Sequence, residues 1–474
     1  VGGYHLAHFF PHWVDPFPPL ARFRFISCSP KADFRIFLPF YILSSMRFWL
    51  IFMVLAPFMP LKGQGYIFLP MDETQTNHLK AYGLAYKALE LNQEVWWLLN
   101  YKGGSFAFSN SPELLKECKI RDVRSEVIPS GKFEQIKAFI ADPEQNMDAL
   151  KLEVAPRVAV YTPKENHQLG RTTQPWDDAV MLALTYAEIP YTTIYDDEVL
   201  KGELSKYDWL HLHHEDFTGQ YGRFYSSYRG AAWYKAHVAE LEGIAKRNGF
   251  AKVSELKLSV CLKIREFVAG GGFMFAMCSA TDTYDIALAA QNTDICDAIY
   301  DGDPVAANYQ SALDFSQTLA FKNFRLVENP TTYEFSDIDA SPTTPPARNV
   351  QEDQDFFTLF DFSAKYDPVP SILTQCHTKT VKAFMGQTTA FRKKSLKASV
   401  LTLGENKALD ESRYIHGIFG NGFWSFYGGH DPEDYRHLVE DPPTDLKLHP
   451  NSPGYRLILN NVLFPAAKKK KQKT

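Results

Sequence analysis

The chain has 474 residues, 45% of them hydrophobic and 22% charged, with a formal net charge of −5. That length leaves room for two or three domains, and the slightly acidic balance excludes nucleic acid as the main partner. The one charge run, KKKKQKT from Lys468 to Thr474, predicts a basic disordered tail over 466–474, with a tether to an anionic surface as the alternative.

Residues 1–45 are crowded with Phe, Pro and His and show neither helical nor strand periodicity. MRFWLIFMVLAPFMPLKGQG then begins at Met46, with basic Arg47, an apolar run from Phe48 to Leu61, and the small-residue ending Gly63-Gln64-Gly65. These are the three regions of a secretory signal peptide. The run is short of the roughly 20 apolar residues of a membrane span, and Pro57 and Pro60 interrupt it. Joining it to IFLPFYILSS as one long anchor would place Arg47 in mid-membrane, at about 2.5–3.5 kcal/mol. The expectation is therefore upstream sequence read in frame over 1–45, a signal peptide over 46–65, and cleavage near Gly65. The mature chain is then periplasmic or extracellular, with no stable membrane span. Cys118, Cys261, Cys278, Cys296 and Cys376 remain, an odd number without a CxxC, so at least one thiol is free or pairs between chains.

From Tyr66 the pattern turns regular. YIFLP predicts a strand, TQTNHLKAYGLAYKALEL a helix with Thr74 as cap, and EVWWLLN a strand, giving a small α/β unit over 66–153. A second series spans 156–465. RVAVYTP, YTTIYDD and YDWLHLHHED predict strands, separated by the helical QPWDDAVMLALTYAEI. After a helical stretch, GGGFMFAMCSATDTYDIALAA supplies a turn, a strand and a helix. This alternation predicts an α/β fold, a mostly parallel sheet with helices on both faces, with the site beyond the carboxyl ends of the strands. The proline-rich stretch within about 301–348 predicts an insertion, possible lid included, and GIFGNGFWSFYGGHDPE a final hairpin-like pair.

Cys278 falls where GFMFAM passes into a helix, and a helix amino end lowers a thiol pKa; the alternative is a buried structural cysteine. His430 follows Gly428 and Gly429, either for chemistry or as a polar loop residue. In HLHHEDFTGQYGRF, His211 and His213 alternate to one strand face, and His214, Glu215 and Asp216 fall at its end. With Arg223, and with Asp282 from TDTYD, the His213–Asp216 cluster predicts contacts to a polar substrate. The cluster reads equally as a hydrogen-bonded strand end or, through His211, His213 and Glu215, as a metal site. No resident metal or other cofactor is the leading expectation.

This order of elements, with FAMCSA and the C-terminal GGHDPE, resembles the class I glutamine amidotransferase superfamily over about 156–465, the insertion excepted. The resemblance implies a flavodoxin-like sheet, Cys278 as nucleophile, His430 as general base, and Glu433 or Asp431 to orient it. The chain departs from the superfamily at Ala276 and Ala280, which replace elbow glycines, and in the acid three residues past the histidine. It departs again at Glu215 or Asp216, where a carboxylate would repel a developing oxyanion. The whole chain also resembles secreted bacterial proteins often labelled asparagine synthetase B, without the amino-terminal cysteine or SGG loop that label requires. The functional expectation is an exported, amidotransferase-like hydrolase of a C–N or ester bond. The alternatives are a non-catalytic binding module for a small polar or sugar-like ligand, and a metal-assisted hydrolase.

Overall fold

The structure is a computed structural model, and it describes residues 65–165, 173–340, 348–367 and 373–467. The expected upstream segment, nearly all of the signal peptide and the lysine run of the tail lie outside the described residues. The first part of the chain forms β1 (Tyr66–Leu69), α1 (His78–Glu90), β2 (Val95–Leu99), β3 (Ser105–Ser109), α2 (Pro112–Ile120), β4 (Glu126–Ile128), α3 (Ser130–Ala141) and β5 (Asp148–Leu152). Its strands make one antiparallel sheet in the order β4-β1-β3-β2-β5. Helix α1 starts later than the sequence suggests. Asn77, not Thr74, accepts the Lys80 N–H with its side chain, while Thr74 turns back to Asp72.

The chain continues through β6 (Val158–Tyr161), α4 (Ala179–Ala187), β7 (Thr192–Ile194), α5 (Asp196–Leu200), β8 (Trp209–His213), α6 (Tyr225–Tyr228), α7 (Ala232–Arg247), α8 (Val253–Ala269), β9 (Phe273–Met277) and α9 (Ser279–Ala289). Two short helices, α10 (Ala298–Asp301) and α11 (Tyr309–Ala312), precede β10 (Phe356–Leu359), β11 (Thr380–Lys382), β12 (Phe391–Arg392), β13 (Leu401–Asn406), β14 (Glu411–Phe419), β15 (Gly422–Tyr427) and α12 (Pro453–Leu463).

These strands build a 10-stranded sheet in the order β11-β10-β13-β14-β15-β9-β8-β6-β7, with β12 on β14. The expected mostly parallel, flavodoxin-like sheet is not what forms. β15, β9, β8, β6 and β7 run parallel, but β11, β10, β13, β14, β15 and β12 are joined by antiparallel pairs. The sheet is mixed and largely antiparallel, and the second sheet is antiparallel throughout. The cause is connection length. A parallel crossover needs a dozen or more residues, usually a helix, whereas Gly420-Asn421 alone joins β14 to β15.

In the parallel part, alternate residues feed two cores. Val158, Val160, Trp209, Phe273, Phe275 and Met277 face the core shared with α1, α4 and α12. Ala159, Tyr161, Leu210, Leu212, Met274 and Ala276 face the core built with α7, α8 and α9. Such strands, buried on both faces, need no polar alternation, so His211 and His213 stand out beside Trp209. The segment from 301 to 340 packs over α9, where the Asp285 carboxylate accepts the N–H groups of Leu319, Ala320 and Phe321 at 2.7, 2.7 and 2.9 Å. Among the described residues, no helix is long and apolar enough to cross a membrane.

Candidate active site

Register brings the candidate residues together. His213 pairs with Met277 across β8 and β9, and Tyr427 pairs with Met277 across β15 and β9. Three parallel strands therefore end at one level, and the next residues along each chain are His214, Cys278 and the Gly428-Gly429-His430 turn. The Cys278 N–H donates to the Gly429 carbonyl at 3.2 Å. Gly429 has φ of +100°, and a Cβ there would lie 2.4 Å from the Phe384 ring and 2.8 Å from its carbonyl oxygen. Gly429→Ala is expected to destabilise the protein by roughly 1–3 kcal/mol from backbone strain and overpacking; urea unfolding measures it.

Cys278 itself has φ 53° and ψ −142°, a conformation that costs a side-chain-bearing residue energy. It turns the chain from β9 into the first residue of α9. Its Sγ accepts the Gln387 N–H at 3.2 Å, and the Gln387 side chain is pinned to the carbonyls of Gly222 and Tyr333 at 2.8 and 2.9 Å. Burial pushes the thiol up to about 11, although the backbone N–H groups of Gln387, Ser279 and Thr388 favour the thiolate. The resting group is a thiol. Together with Trp176, His214, Tyr333, Gln387 and His430 it lines a cavity of about 460 Å³.

His430 lies in the same cavity wall, but among the described residues no hydrogen bond joins it to Cys278. Its Nδ1 faces His214 Nδ1 at 3.2 Å, and its Nε2 is buried without a hydrogen-bond partner. The His213 and His214 rings stack with centroids 3.4 Å apart, and the His437 ring stacks on His430 at 4.2 Å. Burial holds both His214 and His430 well below the usual imidazole range, with neighbouring histidines adding to the effect. His437 behaves oppositely: burial lowers it, but Asp177 at 3.0 Å and Asp434 at 2.9 Å hold it up at about 9.

Several expected site residues are engaged elsewhere. Glu433 pairs with His449 at 3.1 Å, and Asp431 accepts the Tyr455 hydroxyl at 2.8 Å, so neither orients His430. Glu215 lies on Lys257 at 3.3 Å and Gln174 at 2.9 Å, away from His211 and His213, and so is not a third ligand with them. Asp216 accepts from Thr218 N at 2.7 Å and Gly222 N at 3.0 Å, closing a turn. The Arg223 guanidinium spends its donors on Gln220 and on the carbonyls of Val327, Asn329 and Glu334, holding the inserted segment down although it borders the cavity. Asp282 accepts the Thr388 hydroxyl at 2.8 Å, and burial pushes its carboxyl up to about 7. His211 and His213 do share one face, and both approach Asp178, at 3.2 and 3.4 Å.

Sequence reasoning missed His437, Gln387, Asp177 and Asp178. The signal for Gln387 was Gly386, where a Cβ would lie 2.9 Å from Gly429 C and His430 N, a contact no local pattern displays.

No family model matches the chain. No curated protein matches it either. Among solved structures it is similar to the cytoplasmic protein STM3548 from Salmonella typhimurium, with a TM-score of 0.33 and 9% identity, over 66% of this chain and 100% of that one. It is also similar to Gan42B, a GH42 beta-galactosidase, with a TM-score of 0.23 and 10% identity, over 59% of this chain and 28% of that one. Likeness at this level carries no functional argument.

Proposed function

We propose that the cavity is the site of a cysteine-dependent hydrolase that cleaves a C–N or ester bond in a small polar substrate. The observation that carries this reading is the backbone of Cys278: a strained, positive-φ residue at a strand-to-helix turn, lining one cavity with His430, which follows the neighbouring parallel strand. Strain of that kind is kept where a side chain must be presented. The resemblance to class I glutamine amidotransferases supports the reading through the same two residues, Cys278 and His430. Export, argued from Met46–Gly65, belongs to the proposal as well.

In the proposed reaction the Cys278 thiol gives its proton to the free Nε2 of His430, and sulfur attacks the carbonyl carbon. Because burial holds the thiol near 11, attack at neutral pH needs that acceptor. The tetrahedral oxyanion draws on the amino end of α9 and on the backbone N–H of Gln387. The imidazolium returns the proton to the departing amine or alkoxide, leaving a thioester. Water, losing its proton to the imidazole, then releases the acid and regenerates the thiol.

The test is the rate of alkylation of each cysteine in chelator-treated protein, mapped by mass spectrometry with a small electrophile. Cys278 is 3% exposed and Cys376 is the one cysteine of the five that is partly exposed. Accessibility alone therefore predicts that Cys376 reacts first. An activated Cys278 is expected to react at least about tenfold faster than Cys376, and to lose that advantage in His430→Asn. If Cys376 leads, the nucleophile reading fails and a non-catalytic binding pocket takes its place.

A further inference from the structure

We infer that His213, His214 and His430 form a binding site for one divalent transition-metal ion, of which Zn²⁺ is the expected occupant. One ring nitrogen from each of the three lies within 4.8 Å of the others. The spacing between His214 Nδ1 and His430 Nδ1, 3.2 Å, suits two corners of a tetrahedron around an ion with bonds of about 2.0–2.1 Å.

A second observation points the same way. Buried polar atoms in folded proteins are almost all hydrogen-bonded, and exceptions call for a ligand or an ion. Here Nε2 of His213 has no hydrogen-bond partner, while its Nδ1 faces only the Asp178 carboxylate, at 3.4 Å. His213 and His430 are 2% and 5% exposed, so bulk water does not supply what is missing. An unpartnered nitrogen on a buried ring that touches two further histidines is a poor design for a dry core and a good one for a metal.

The surroundings complete the case. Asp178 is anchored as the cap of α4, accepting from Val180 N and Met181 N through one oxygen. Its other oxygen lies 3.4 Å from His213 Nδ1 and 3.2 Å from His211 Nε2. A carboxylate behind a ligand histidine fixes the ring and raises its basicity, the usual outer shell of a histidine-bound metal. The set is all imidazole and neutral, which suits Zn²⁺ and its neighbours in the first row and not Mg²⁺ or Ca²⁺. His437 stacks on His430, but both its nitrogens are taken by Asp177 and Asp434, so it stands outside the ligand set.

The site does not rest on Cys278 chemistry. An ion on His430 and a thiol proton on His430 exclude each other, so metal-loaded and metal-free forms are alternative states of one cavity.

Metal-free, full-length protein titrated with Co²⁺ is expected to take up one equivalent with the intense visible absorption of a four-coordinate ion, displaced by Zn²⁺. His214→Asn and His430→Asn are expected to weaken binding at least tenfold. Cys278→Ser and His437→Gln are expected to leave it within twofold, so loss of the nucleophile reading would not remove the site. X-ray absorption of the Zn²⁺-loaded wild type, which needs no variant to fold, should show an imidazole shell at about 2.0–2.1 Å. Absence of a stoichiometric ion, a shell without imidazole, or binding unchanged in both histidine variants overturns the inference.

Discussion

Arg413→Met is expected to lower stability by about 3–5 kcal/mol, the range for breaking a buried charge network from one side. Arg413 is 1% exposed, and Asp355 fully buried. The guanidinium donates to both Asp355 oxygens at 3.1 and 3.0 Å, to Glu411 at 3.3 Å, and to the carbonyls of Phe384 and Thr389 at 2.9 and 2.8 Å. Methionine fills much of the volume but leaves two carboxylates and two carbonyls without these donors. Arg348 still bonds Asp355 and Glu411, which keeps the loss from being larger. The effect reaches the cavity, because Phe384 and Thr389 bracket the turn whose Gln387 N–H meets Cys278. Cys278 alkylation should therefore change along with the urea midpoint. Arg413→Lys keeps one charge but not the fork, and should recover less than half of the loss. A change below 1 kcal/mol in Arg413→Met would show that the network does not hold the turn.

Lys257→Met should have a comparable effect with a distinct pH dependence. Lys257 is fully buried and touches two carboxylates, Asp196 at 3.1 Å and Glu215 at 3.3 Å, with the Tyr161 hydroxyl at 2.9 Å. Burial already pushes Glu215 up to about 7, with Asp196 raising it and Lys257 opposing. A carboxylate whose folded pKa lies above its unfolded value binds more protons when folded. Its contribution to stability is fully present below about 4.5 and is lost as pH rises through about 7. Removing Lys257 deletes a cation that meets both acids, so the cost of about 3–5 kcal/mol should be largest above pH 7. It should shrink on acidification, as Glu215 takes up its proton. Urea unfolding of wild type and variant across that range checks the sign. A penalty that grows on acidification would contradict the arrangement of these three groups.

What the sequence determined about this protein is local. Period-two patterns and apolar runs place Cys278 at the end of a strand, alternate His211 and His213 to one face, and set His430 just past another strand. Rise per residue and side-chain alternation fix these positions wherever the strand ends up. Tertiary structure alone decided which of those residues meet, and which charges they meet. His430 finds His214 across 216 residues, and Gln387 finds Cys278 across 109. Glu215 turns to Lys257, Asp431 to Tyr455 and Glu433 to His449, so carboxylates that adjacency assigned to the site serve elsewhere. A buried acid takes its partner from whichever element packs against it, and chain spacing says nothing of that packing. Strand direction falls between the two cases. The two-residue Gly420-Asn421 link already forbade a parallel crossover, but only the assembled sheet shows how far the antiparallel part extends.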